Sequence, residues 1–129
     1  MGMATIEISN SFRNRYQDQH FSFDPHGGTA QLDGRYLTLT RKECELLALL
    51  VEHNGEIIPR DVLLSRVWGY SKEVRTRTLD VHIRRLRRKL SPFGEQYIET
   101  IFGVGYRFQR YREPRAFSAF APTLIAVGM

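Results

Sequence analysis

Apolar and polar positions follow two different periods along this chain. Between His20 and Leu39 they alternate in short runs, residues 20–23, 29–32 and 36–39, broken by Asp24-Pro25-His26-Gly27-Gly28 and by Asp33-Gly34. A period of two belongs to strands with one buried face. Asp-Gly is also the pair selected by a two-residue hairpin turn, whose central residues both need positive φ. A small antiparallel sheet is therefore expected, after an irregular polar start through Gln19. From Thr40 the spacing lengthens to that of helices. Thr40-Arg41-Lys42-Glu43 is a capping box, in which hydroxyl and carboxylate satisfy free amides at a helix start. Cys44, Leu47, Leu50 and Val51 are expected on the inner face, with Asn54-Gly55 closing the helix. Pro59 suits the first turn of a second helix, with Val62, Leu63, Val67 and Trp68 facing the core and Gly69 stopping it. Leu79, Ile83, Leu86 and Leu90 then recur at i, i+4, i+7 and i+11, one apolar stripe at about 100° per residue. Ser91-Pro92 ends that third helix. Strands at 97–102 and 106–109 follow, joined by Gly103-Val104-Gly105.

A small amino-terminal antiparallel sheet, three helices and a glycine-tipped hairpin make an α+β chain in the order of a winged helix-turn-helix. In that architecture the last helix enters the major groove of DNA and the hairpin wing lies on the adjacent backbone. The expected organisation is an extension or linker over residues 1–19, the winged helix-turn-helix over 20–111, and a tail over 112–129. The tail's Phe117, Phe120, Leu124, Ile125 and Val127 either dock on the domain or a partner, or fray.

Charge sharpens this picture. Residues 75–90 hold Arg75, Arg77, Arg84, Arg85, Arg87, Arg88 and Lys89 against the single acid Asp80, a local +6 in a chain whose net charge is only +5. The excess of positive charge thus sits on one helix, with Arg77, Val81, Arg84 and Arg88 opposite the apolar stripe and Thr78, His82, Arg85 and Lys89 along a flank. A solvated helix face is the plain alternative. A rod anchored by its apolar side and cationic outside also suits duplex DNA, whose major groove admits a helix and whose phosphates supply counter-charge. The isoelectric point near 9.7 fits a nucleic acid or, less specifically, an anionic membrane surface.

Other classes find little support. No apolar run approaches the roughly 20 residues needed to span a bilayer, and the first residues lack the apolar core of a signal peptide, so a cytoplasmic location is expected. Cys44 is the only cysteine of the 129 residues, which excludes an internal disulfide and a cysteine-based zinc cluster. The four histidines are scattered, and there is no HExxH, no phosphate-binding glycine loop and no nucleophile with an evident base. Neither enzymatic activity, nor a metal, nor a cofactor is expected. The competing reading is a winged helix that binds protein or RNA.

Three separated segments, LTRKECELLALLVEHNGEIIPRDVLLSRVWGY, RTLDVHIRRLRRKL and IETIFGVGYRF, resemble the effector domain of OmpR/PhoB-type response regulators. The resemblance runs from about His20 to Tyr111 and implies a four-stranded sheet before the first helix. It implies that the third helix is the recognition helix. Val81 and Arg85 match positions that reach base edges, and Thr78, His82, Arg84 and Arg77 match positions that hold phosphates; Arg88 shares their exposed face. Arg107 matches the wing arginine near the minor groove. Trp68 matches a tryptophan near the DNA backbone, and the loop from Gly69 through Tyr70, Ser71 and Lys72 to Val74 matches a segment that can touch RNA polymerase. Two copies side by side on direct-repeat half-sites, and a monomer in solution, are also implied.

The residues agree with those roles by their own chemistry. Arginine's planar fork binds guanine O6 and N7 together, which marks Arg85 for direct readout; Val81 can only contact a thymine methyl or leave space. Trp68 is alternatively core, and Arg87 is placed either to pair with a carboxylate such as Glu99 or to meet DNA. The chain departs from the family pattern at Cys44, where an aromatic ring is usual, and at Phe102, where arginine or tryptophan is common. Family members carry a receiver domain before the effector, so phosphorelay control is not located in this stretch.

Overall fold

A computed structural model describes residues 15–70 and 76–113. The elements in chain order are β1 (Tyr16–Gln17), β2 (Phe21–Asp24), β3 (Thr29–Leu32), β4 (Arg35–Leu37), α1 (Arg41–Glu52), β5 (Ile57–Pro59), α2 (Arg60–Trp68), α3 (Thr78–Lys89), α4 (Gly94–Tyr97), β6 (Ile98–Ile101) and β7 (Gly105–Phe108). Strands β1 to β4 form one antiparallel sheet in sequence order, and a second sheet has the order β5-β7-β6.

The expected periodicities set the core. In β2 and β3 every second side chain, Phe21, Phe23, Ala30 and Leu32, is buried against the helices. The turn between β3 and β4 has Asp33 at φ 51° and Gly34 at φ 81°, the conformation for which Asp-Gly was read. On α3 all four stripe residues, Leu79, Ile83, Leu86 and Leu90, are buried. Each such side chain contributes about 1.5–3 kcal/mol by leaving water. Phe108 stacks on Tyr97 with ring centres 5.7 Å apart, which joins the second sheet to α4.

The capping box forms as read: the Glu43 amide donates to Thr40 Oγ1 at 3.2 Å and the Thr40 amide to Glu43 Oε1 at 2.9 Å. Glu43 is itself buried and receives Lys89 Nζ at 2.5 Å, which ties the start of α1 to the end of α3. Asp18 makes a second tie. Its carboxylate accepts from the hydroxyls of Tyr16 and Tyr97 and from the amides of His20, Phe21 and Tyr111, so the first strand and the last described residues close on one group.

Several details differ from the sequence expectation. Tyr16–Gln17 is a strand within the stretch read as a polar extension, and Tyr16 is a core residue. The inner face of α1 is Leu46, Leu47, Leu49 and Leu50, with Cys44 and Val51 at its edge. On α2 the buried residues are Leu63, Leu64 and Val67, while Val62 is exposed and Trp68 half-buried. Pro59 ends β5 and caps α2 rather than entering it. A fourth helix, α4, precedes β6, and β5 makes the hairpin part of a three-stranded sheet. Gly105 allows that third strand in, because a Cβ there would lie 2.0 Å from the Ile58 carbonyl oxygen.

Candidate nucleic-acid interface

The start of α3 is fixed locally: the Thr78 amide donates to Thr76 Oγ1 at 3.1 Å, and the two threonine hydroxyls are 2.9 Å apart. Asp80 lies in its first turn and Arg87, Arg88 and Lys89 in its last, the charge order that complements the helix dipole. With the apolar stripe buried, Arg77, Arg84, Arg85 and Arg88 are exposed and Thr78, Val81 and His82 are half-exposed. Among the described residues no acid forms an ion pair with Arg84, Arg85 or Arg88, while Arg77 is near enough to Asp80 to favour its charged form.

Asp80, the helix's lone acid, is engaged elsewhere. Arg60 at the start of α2 grips it with both terminal nitrogens, at 2.5 and 3.1 Å, and the Tyr106 hydroxyl of β7 donates to the same carboxylate at 2.5 Å. The Arg60 hydrogen bonds hold the Asp80 carboxyl below its ordinary range against the opposing effect of burial, with Tyr106 adding to the shift. Two elements, α2 and β7, are thereby fastened to the face of α3 beside its exposed arginines.

Arg87 and Lys89 have structural partners. Arg87 chooses neither of the two roles left open for it: Nε and Nη2 donate to the Ile98 carbonyl at 3.0 and 2.7 Å, and Nη2 to Thr100 Oγ1 at 2.7 Å. It clips β6 to the helix. Lys89 donates to Glu43 and to the Thr38 carbonyl. Arg107, matched to a wing contact, donates from Nε and Nη2 to Glu99 Oε1 at 3.0 and 2.7 Å, directly across the hairpin. It stays partly exposed, but its charge is shared with an acid.

His82 places Nδ1 2.8 Å from the Thr78 carbonyl, which makes that nitrogen the donor, and sets its ring edge-on to Trp68 at 4.9 Å. Trp68 and Tyr70 are half-buried against the core and Gly69 caps α2 with φ 77°. Ser71 and Lys72 lie outside the described residues. Burial, helped by Glu45, raises the Cys44 thiol, the reverse of a reactive cysteine. Sequence reasoning passed over Asp80, Arg60 and Tyr106 as site-building residues. Asp80 stood out as one acid on a cationic helix, but nothing in the sequence marked Arg60 as its partner.

Residues 34–108 match the family described as transcriptional regulatory protein, C terminal. The chain belongs to this OmpR/PhoB-type family. The family is one of DNA-binding transcription regulators and is not enzymatic. Among its members, the transcriptional regulatory protein HprR of Escherichia coli is 53% identical over 106 residues, 81% of this chain and 43% of that protein. The response regulator ArlR of Staphylococcus saprophyticus is 50% identical over 76 residues, 58% of this chain and 34% of that one. The chain thus spans less than half the length of these curated relatives.

Among solved structures, the Klebsiella pneumoniae RstA DNA-binding domain in complex with the RstA box superposes with a TM-score of 0.67 at 30% identity, covering 74% of this chain and 96% of that one. The DNA-binding domain of CpxR from E. coli gives 0.67 at 31% identity, covering 76% and 98%. The likeness supports the α+β winged helix expected from the order of elements. No helix among the described residues is long and apolar enough to cross a membrane.

Proposed function

We propose that this chain binds double-stranded DNA sequence-specifically as the effector part of a transcriptional regulator, with α3 in the major groove. One observation carries the reading: Arg77, Arg84, Arg85 and Arg88 stand exposed, the last three without an acidic partner among the described residues, while the one acid of their helix is held by Arg60 and Tyr106. The RstA domain, of the same fold and family, was solved with its DNA box, which supports the partner.

Arg85 reads guanine through its fork, and Val81 meets a thymine methyl or leaves space. Arg77, Arg84 and Arg88 neutralise phosphates, and the Thr78 hydroxyl donates to one. His82 has a narrower role than its position implies. With Nδ1–H given to the Thr78 carbonyl, only the doubly protonated ring offers Nε2–H to a phosphate; the neutral ring is an acceptor there. Arg107 reaches DNA only by sharing or leaving Glu99.

On the family pattern, two copies lie side by side on direct-repeat half-sites and the domain is monomeric in solution. The same pattern assigns the chain to the cytoplasm and gives the loop beginning at Trp68 and Gly69, with Tyr70, Ser71 and Lys72, to the DNA backbone or RNA polymerase.

Selection from random duplexes, followed by anisotropy titration of the winner at several salt concentrations, tests the proposal. Specific binding whose log K falls with log salt at a slope near −0.9 for each phosphate neutralised supports it. Equal affinity for duplex, single strand and RNA, or binding only to protein, overturns it.

A further inference from the structure

The tip of the hairpin is apolar and uncharged. Phe102 is 90% exposed, more than any other large hydrophobic side chain among the described residues, and Val104 is 44% exposed. Between Ile98 and Phe108 the only cation is Arg107 and the only acid is Glu99, and these two are paired with each other.

The tip is held in place. The Val104 amide donates to the Ile101 carbonyl at 2.9 Å, and the Arg60 amide donates to the Val104 carbonyl at 3.0 Å. The same Arg60 grips Asp80 on α3, so the backbone around Phe102 has a fixed relation to the cationic helix. A cleft of about 760 Å³ runs beside Arg84 and Arg88 on α3, walled by Gly94, Glu95 and Gln96 and, from β7, by Tyr106. Through Tyr106 the hairpin's second strand borders the same arginines that face a polyanion on α3. An exposed phenyl ring on a fixed turn is unfavourable in water and gains from any partner that covers it.

We infer that Phe102 is a minor-groove contact, supplying by apolar burial the wing interaction that Arg107, held by Glu99, does not supply by charge. The inference rests on the proposed binding of α3 in the major groove. Phenylalanine is among the side chains that minor-groove proteins lay on sugars or wedge at base steps. The floor of that groove is open at A·T pairs, which present only N3 and O2, whereas G·C places the guanine 2-amino group in the way. Phe102 therefore favours A·T pairs flanking the half-site. Being uncharged, it contributes nothing to the salt dependence.

The test compares the whole chain with Phe102→Ala and Phe102→Arg on a duplex selected by the parent from a random pool. Phe102→Ala is expected to bind roughly tenfold more weakly with an unchanged salt slope. Its thermal midpoint stays that of the parent, since so exposed a ring leaves no cavity. Phe102→Arg recovers affinity at low salt and steepens the slope by about 0.9. Changing the flanking A·T pairs to G·C weakens the parent several-fold, inosine·C, which lacks the 2-amino group, restores it, and Phe102→Ala responds to neither.

Parent affinity and parent base preference in Phe102→Ala overturn the inference and give the ring to a protein partner instead. Provided that Arg84→Ala still loses affinity, the reading of α3 then stands. A parent that binds no duplex overturns both.

Discussion

The Tyr106 hydroxyl donates to the Asp80 carboxylate at 2.5 Å, so the one acid on the cationic helix is also the latch of the hairpin. The bond joins residues 26 positions apart and, with Arg60, fixes α2, α3 and β7 at a single point. Burial and the Asp80 carboxylate raise the Tyr106 phenol, so the hydroxyl remains a donor throughout the neutral range.

Tyr106→Phe removes the latch while keeping the ring. A lost hydrogen bond of this kind costs about 1 kcal/mol, which lowers the melting temperature of a domain this size by about 4–8 °C. Asp80→Ala, which also strands Arg60, costs more. Thermal unfolding followed by circular dichroism checks the order; equal midpoints for parent and both variants contradict it.

Two hydrogen-bonded carboxylates, the buried Glu43 and the half-buried Asp18, predict loss of stability in acid. Burial opposes ionisation of Glu43, but Lys89 and the Thr40 amide outweigh it and hold the carboxyl below its ordinary value of 4.5. Burial likewise opposes ionisation of Asp18, and hydrogen bonds from Tyr16, the Phe21 and His20 amides and Tyr97 outweigh it. A carboxyl whose pKa is lower folded than unfolded stabilises the fold fully above the unfolded value, and that stabilisation disappears as pH falls through the folded one. The urea midpoint should therefore drop as pH is lowered below about 4.5. Asp18→Asn should lose about 2–3 kcal/mol at neutral pH and show a shallower acid slope. A midpoint that rises on acidification runs against the account.

Freeing Arg107 should strengthen binding. Glu99→Gln removes both the acid that holds the guanidinium and a negative charge near the phosphates. Duplex affinity is expected to rise about threefold at low salt, with the gain fading toward 1 M, where screening lengths shrink to about 3 Å. Arg107→Ala in the parent should cost less than Arg84→Ala. Anisotropy titrations at two salt concentrations decide it, and weaker binding by Glu99→Gln would show that Glu99 orients Arg107 for the DNA.

What was legible in the sequence follows from how local each signal is. The α3 stripe, the capping box and the Asp33-Gly34 turn depend on residues within a few positions of each other, and all three form as read. β1, β5 and α4 are two to four residues long, too short to show a period, and only pairing with distant segments makes them regular. The α1 face differs from the sequence expectation because all six residues of 46–51 are apolar, so that spacing alone does not choose between Leu46 and Leu49 on one side and Cys44 and Val51 on the other. The Glu99–Arg107 pair was within reach, since both sit four residues from Gly103 at the turn. The Arg87 bonds to Ile98 and Thr100, and the Arg60 grip on Asp80, depend on how elements pack and leave no mark in either partner's neighbourhood.

The central claim is that the exposed face of α3 reads duplex DNA, with Arg85 at a base and Arg84 at the backbone. Titrating Arg85→Ala and Arg84→Ala against the selected duplex and against single-base variants of it tests this most directly. The account predicts that Arg85→Ala loses about 1–3 kcal/mol on the selected duplex and relaxes preference at one position. Arg84→Ala should weaken all duplexes alike and reduce the salt slope by about 0.9. Full affinity, unchanged selectivity and an unchanged slope in both variants would contradict it.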